Sequence, residues 1–482
     1  MFWRGIWGYL PLNVLQALVA FGVIVAFTRL LTPAEFGAYA LAFSVVTLAQ
    51  TLAFTWIEAA MARFWAQADA RGETRAHFAT LYWLYLAVAL LFAAITVGVI
   101  LWPVAGELKV ALAAGFGAAV ARSLAILARE RRRAAGEVLS ASGLDALATA
   151  SGFAFGLLFA VLDWGAAAPL LGGGVGAALV ALAATPKELS FARGGRFEAA
   201  RAVDYARYGV PVSLSLLLSL LLASTDRFLL AHFTDEATVG VYHSGYSLAN
   251  RTLDVLFVWL GMAGWPALVS AYERGGPEAL RPAAREQARL MLLIALPSAV
   301  GLALVARPLA EVLVGEAFRD GAARITPWIA ASGLLAGFTI HYLHHAFTLG
   351  RRTERFVLAM CLPVVLNVLL CVVLIPRFGA EGAAGATVIS FAIGAVASWA
   401  LGRGIVPLPV PWGDLARCSL ACGAMAAAVL LIPSLGGLPE LILKSAVGAA
   451  AYAAAAWALD ASGARSQSRQ AWRTWRARTA VA

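Results

Sequence analysis

Residues 208–232 form an apolar run that carries one adjacent charged pair, Asp226-Arg227. About 20 residues at 1.5 Å each cross a bilayer, and this run is long enough. Runs like it recur along the chain, at about 9–31, 37–57, 81–102, 108–128, 139–162 and 166–184. They resume at about 208–232, 239–265, 288–306, 325–349, 356–375 and 382–402, and two more follow at about 414–433 and 438–459. The expected fold is therefore all-α and polytopic, with about fourteen membrane helices arranged six, six and two. Composition agrees: 61% of residues are hydrophobic and 13% charged, far from the average of soluble domains.

The net charge of +10 does not point to nucleic acid, because the basic residues lie between apolar blocks and form no base-reading motif. Membrane topology accounts for them. With the N-terminus inside, inside segments hold twenty-seven of the basic residues, among them Arg63, Arg129, Arg131–Arg133, Arg193, Arg285, Arg351 and Arg465; outside segments hold seven. That asymmetry predicts cytoplasmic termini. The first apolar segment exceeds the usual apolar core of a cleaved signal peptide and is expected to be retained. Expected boundaries are a first lobe and the start of a connector at 1–190, a second lobe at 191–405, two added helices at 406–460 and a basic tail at 461–482. In that tail Arg465, Arg469, Arg473 and Arg476 share a helical side beside Trp472 and Trp475, a pattern suited to an anionic membrane surface.

An internal repeat is also visible. Gly8-Tyr9-Leu10-Pro11, an apolar run ending in Arg29, the turn Thr32-Pro33-Ala34-Glu35 and Gly37-Ala38-Tyr39 have a later parallel. It consists of Gly209 and Pro211, Asp226-Arg227, Thr234-Asp235-Glu236 and Gly240-Val241-Tyr242. Transporters are often built this way, with substrate bound between the halves.

Motifs for covalent chemistry are missing. No phosphate-binding G-x-x-x-x-G-K-[ST] loop occurs, no outside loop holds a D-x-D, and the longest outside loop, 307–324, has no room for a catalytic domain. An enzyme is not expected, nor is a cofactor or metal. Cys361, Cys371, Cys418 and Cys422 lie in apolar segments without ligand spacing and read as small buried hydrophobes.

The remaining candidates are polar groups at membrane depth, which are costly there and so point to function. Arg122 either snorkels toward the cytoplasm or lines a cavity. Arg251 and Asp254 share a helical face, either as a self-neutralising pair or facing water. Asp226 and Arg227 point about 100° apart, so one of them needs another partner. Arg29, read as the counterpart of Arg227 across the repeat, is otherwise an ordinary interfacial arginine. Asn250, Glu58, Asn13, Gln16 and Asn367 are candidate lumen or interhelical hydrogen-bond residues. His341 shares a face with His344 or His345; with no acid or Cys beside them they do not read as a metal site, and they pack, titrate or touch substrate.

The repeat segments resemble the polysaccharide-transporter (oligosaccharide flippase) family of the multidrug/oligosaccharidyl-lipid/polysaccharide exporter superfamily. The resemblance rests on Arg29–Tyr39, Tyr208–Pro211, Asp226–Leu230, Gly240–Tyr242 and Ile375–Ala384, whose order and spacing cover nearly the whole chain. It implies two six-helix lobes in a V around a cavity, plus two extra helices. It further implies flipping of undecaprenyl-linked oligosaccharide across a bacterial cytoplasmic (inner) membrane for O-antigen, capsule or exopolysaccharide. Implied partners are the lipid-linked oligosaccharide, membrane lipids, a polysaccharide polymerase and chain-length proteins; on energetic grounds either the membrane potential acting on an anionic headgroup or a proton or sodium as coupling ion drives export. Cavity arginines suit a diphosphate; the substrate-binding candidates are Arg122, Arg227, Arg251, Asp226, Asp254, Arg29, Asn250 and His344. Exporters of drugs or small amphiphiles and lipid II flippases share this architecture. A membrane glycan polymerase or ligase would need an outside catalytic loop that the sequence lacks.

Overall fold

The computed structural model describes the backbone of residues 2–103 and 105–465, with side chains except at 2–10, 219, 222 and 353. The expected tail stripe at Arg469, Arg473 and Arg476 lies outside these residues. Every regular element described is helical: α1 Phe2–Leu30, α2 Pro33–Ala53, α3 Thr55–Ala70, α4 Thr74–Leu101, α5 Glu107–Ala134, α6 Val138–Val161, α7 Ala168–Ala192 and α8 Ala199–Phe233. Then come α9 Glu236–Leu304, α10 Ala306–Leu313, α11 Arg319–Phe338, α12 His345–Leu349, α13 Thr353–Gly402, α14 Trp412–Leu430 and α15 Gly437–Ala458. Packing divides the chain into two compact units, Met1–His243 and Ser244–Ala482.

Ten of the described helices are long and apolar enough to cross a membrane, or eleven if α8 counts as one span across the bend between Leu218 and Ala223. The expected number was fourteen, and the difference has a physical source. At 1.5 Å per residue the 69 residues of α9 reach about 100 Å, some three times a bilayer core. α9 breaks at Gly275 and at Gly276, whose φ of 63° suits a residue without Cβ. α13 breaks in the same way at Gly379, φ 54°. Each of these elements covers two expected segments. The expected segment 325–349 instead falls on α11 and α12, separated by a π turn at Thr339–Leu343.

Large apolar side chains face outward, including Leu18 at 66% exposure, Leu90 at 62% and Leu182 at 74%. Water would penalise such a surface, whereas lipid does not. The protein is a multi-pass membrane protein.

Inside unit Met1–His243, α6 and α7 meet through glycines. A Cβ on Gly172 would stand 2.2 Å from the Gly156 nitrogen, and one on Gly176 would stand 2.5 Å from the Ala148 carbonyl oxygen. With lipid on the outside, close backbone approach is the main attraction between such helices, which small residues permit. At one end of α5 a buried charge cluster joins α5, α6 and α7. Arg131 donates to Glu188 at 2.9 and 3.0 Å and to Glu137 at 2.6 Å, and Arg133 donates to Asp145 at 2.9 Å. Glu188 is fully buried. Positive-inside counting located these arginines but could not show that several are held by carboxylates. Arg131 keeps the Glu137 carboxyl, in the α5–α6 turn, below its ordinary range through that hydrogen bond. Between α4 and α8, His77 Nδ1 and the Tyr205 hydroxyl lie 2.5 Å apart, both buried.

In unit Ser244–Ala482, α11 packs on α13, and α14 on α15. Arg289 of α9 donates to Asp414 of α14 at 2.7 Å. Cys371, Cys418 and Cys422 are buried, as expected of small hydrophobes, while Cys361 is exposed.

Candidate functional site

The two repeat turns are built alike. Thr32 caps α2: its Oγ1 accepts from the Glu35 N–H at 3.3 Å, the Glu35 carboxylate accepts from the Thr32 N–H at 2.7 Å, and Pro33 takes the first helical position. Asp235 caps α9, accepting from the Thr238 N–H at 2.7 Å. Aligning cap on cap pairs Gly37 with Gly240 and Tyr39 with Tyr242. The same register sets Arg29 against His232, correcting the pairing with Arg227: cap geometry, which the sequence spacing left loose, shifts it by five residues.

These two helix starts lie against each other. A Cβ on Gly37 would meet the Glu236 carbonyl oxygen at 1.7 Å, and one on Gly240 would meet the Pro33 carbonyl oxygen at 2.1 Å. The contact is reciprocal, since Pro33 stands to Gly37 as Glu236 stands to Gly240. Two backbones this close tolerate only glycine at the crossing.

Beside this contact, at the end of α8, Asp226 and Arg227 are 4% and 8% exposed. The Asp226 carboxylate accepts from the Tyr242 hydroxyl of α9 and, at 2.8 Å, from the Arg227 N–H. Arg227 donates to the Ala223 carbonyl at 3.0 Å. The inward partner that Asp226 needed is thus a tyrosine of the repeat motif. Arg29 is exposed and donates to the Val25 carbonyl of its own helix at 2.5 Å.

Arg122 of α5 is half-buried and turns across to α2 rather than along its helix. Its Nη1 lies 3.4 Å from Gln50 Oε1, and Gly173 of α7 faces its Nη2. One residue on, Ser123 donates to the buried Glu58 carboxylate of α3 at 2.7 Å. No carboxylate stands within ion-pair distance of Arg122 among the described residues. Gln50 was missed by sequence reading: a glutamine in an apolar run is a signal, but only the fold aligns it with Arg122.

In the other unit, Arg251 and Asp254 are exposed and form no ion pair among the described residues. Of the two expectations for this pair, the self-neutralising one is not seen: Asn250 instead donates to Asp254 at 2.6 Å. Residues i and i+4 meet on a helix as readily as i and i+3, so the amide competes with the guanidinium. His344 is buried with its Nε2 3.3 Å from Ser398 Oγ, and Asn367 donates to Thr387 at 3.3 Å. Asn13 and Gln16 are exposed. The structure therefore brings Asp226, Arg227 and Tyr242 together, and separately Arg122, Gln50, Ser123 and Glu58. Arg251, Asp254 and Asn250 form a third group.

Known folds show the same helix arrangement. A lipid II flippase, MurJ, in an inward closed conformation superposes with a TM-score of 0.75 at 12% identity, over 93% of this chain and 98% of that one. An inward-facing multidrug resistance MATE family transporter gives 0.60 at 16% identity, over 81% and 94%. A superfamily transporter from Pyrococcus furiosus gives 0.52 at 15%, over 83% and 93%. At these identities the likeness concerns the fold alone. No curated protein matches the sequence significantly. The profile of a family described as "Polysaccharide biosynthesis protein" matches residues 26–323, more than half of the chain. By that match the chain belongs to the polysaccharide biosynthesis protein family, carried on the fold that lipid II flippases and MATE transporters share.

Proposed function

We propose that this protein is a flippase that carries an undecaprenyl-diphosphate-linked oligosaccharide from the inner to the outer leaflet of a bacterial cytoplasmic membrane. Its product feeds a surface polysaccharide such as O-antigen, capsule or exopolysaccharide, and both termini face the cytoplasm. The lobes are those of the internal repeat, at 1–190 and 191–405, with helices 406–460 added. Translocation follows alternating access and makes or breaks no covalent bond.

The observation that carries this reading is Arg122. A guanidinium at membrane depth, with a 3.4 Å contact to a neutral amide and no carboxylate within ion-pair distance among the described residues, keeps donors for a phosphate. A diphosphate accepts in the bidentate geometry that an arginine fork offers. Arg251, with Asn250 taking up its neighbour Asp254, offers a second such group. Asp226 and Arg227 act differently, tying α8 to the start of α9. With the interior negative, each anionic charge moved outward gains roughly 2.3 kcal/mol per 100 mV, so the headgroup charge itself favours export.

Mass spectrometry of lipid extracts from cells lacking the protein provides the test. Prenyl-diphosphate oligosaccharide should accumulate, and the intact chain but not Arg122→Gln should clear it. An unchanged lipid pool with altered drug sensitivity would shift the reading to an exporter of small amphiphiles.

A further inference from the structure

α11 does not continue smoothly into α12. The His344 N–H reaches back five residues to the Thr339 carbonyl at 2.9 Å, which makes the intervening turn a π turn. Such turns are rare and cluster at functional sites. This one gathers His341, His344 and His345 inside unit Ser244–Ala482. The His345 ring lies against Trp265 with centroids 4.5 Å apart, and the His341 ring stacks parallel to Phe257 at 6.2 Å. His344 meets Phe356 edge-on and Ser398 through its Nε2. Gln287, on the second half of α9, donates to the His341 carbonyl at 3.4 Å.

Two polar atoms of this cluster, His345 Nε2 and Gln287 Oε1, are buried without a hydrogen-bond partner. Gln287 is 6% exposed. Buried polar atoms are nearly always satisfied, so two orphans in one cluster mark a place where something binds. The groups facing the histidines from α9 and α13 are Gln287, Trp265, Phe257, Phe356 and Ser398, all uncharged.

An imidazole so enclosed takes a proton on its open nitrogen when water reaches it, because no carboxylate among the described residues forms an ion pair with these histidines. Its occupancy must then differ between a state that opens the turn to water and the buried one seen here. A difference of this kind is what lets an ion gradient drive a conformational cycle. We propose that the π turn between α11 and α12 is a proton site coupling flipping to the proton gradient, with His345 Nε2 as the acceptor. Hydronium on one side gives its proton to the neutral ring, and the imidazolium later returns it to water on the other side, so the site ends unchanged. This inference rests on the flippase reading.

The test uses the full chain in proteoliposomes with a fluorescently tagged undecaprenyl-diphosphate oligosaccharide. Leaflet exposure is read by chemical reduction of the tag, with the potential clamped by potassium and valinomycin. For one proton, a gradient of one pH unit should speed the native protein by up to about tenfold. His345→Gln should lose that acceleration and keep the gradient-free rate. Gln287→Leu, which keeps the histidines, should reduce the acceleration in the same way. Equal acceleration in native and His345→Gln overturns the inference, as does native flipping that ignores the gradient. A native protein that flips nothing refutes the flippase reading instead. A second measurement then decides the site: the emission difference between native and Trp265→Phe protein should titrate with pH and become flat in His345→Gln, and a native difference that is already flat refutes the proton site.

Discussion

Replacing Gly37 with alanine adds one carbon where α2 crosses the start of α9. That carbon would stand 1.7 Å from the Glu236 carbonyl oxygen, and ordinary van der Waals contact begins at 3.4 Å, so the two backbones must part by about 1.7 Å. No side chain can rotate aside, because the obstacle is backbone. Overpacking of this kind typically costs about 1–3 kcal/mol. Taking about 2 kcal/mol, an equilibrium between closed and parted contact shifts roughly thirtyfold. Spin labels on Ala34→Cys and Ala237→Cys, with Cys361→Ser removing the exposed native thiol, report the separation by double electron–electron resonance. The distance distribution should lengthen in Gly37→Ala. It should stay unchanged in Gly98→Ala, where an added Cβ meets nothing within 4 Å. If Gly37→Ala leaves both the distribution and the melting temperature unaltered, the crossing is not held by backbone contact and the reasoning fails.

Three further outcomes follow from the charged groups. Glu188→Ala leaves Arg131 and Arg132 buried without their shared carboxylate and should cost about 3–5 kcal/mol; thermal unfolding in detergent should show a clear loss, partly relieved by adding Arg131→Met. Tyr242→Phe removes the hydroxyl that Asp226 accepts from and should cost about 1–3 kcal/mol in the same melting assay. Glu137, held below its ordinary range by Arg131, contributes stability that is present above the unfolded carboxylate range and is lost as pH falls through its folded value. Glu137→Gln should therefore lower the melting temperature near and above neutrality, where the charged carboxylate contributes, and flatten the acid limb so that the two curves converge at low pH.

Much of the architecture was legible residue by residue. Apolar runs of membrane length dictate helices because lipid leaves backbone groups no other partner, and that depends on local composition alone. The repeat was legible for a related reason: Thr32, Pro33 and Asp235 act through bonds within four residues of themselves. The helix count was less so. Whether Gly275, Gly276 and Gly379 break a helix or continue it depends on the neighbours that hold their backbone angles.

The polar sites divide along the same line. Charge at membrane depth singled out Asp226, Arg122 and Arg251 from cost alone, since solvation energy needs no knowledge of neighbours. Their partners lie on other helices: Tyr242, 16 residues on, for Asp226 and Gln50, 72 residues back, for Arg122. The π turn at Thr339–Leu343 has no composition of its own, because one inserted residue is tolerated or not according to the packing on α9 and α13. Local energetics thus set which segments are helices and which residues are expensive to bury. Partner choice and helix breaks were settled by packing, because they are sums over contacts between segments tens to more than a hundred residues apart.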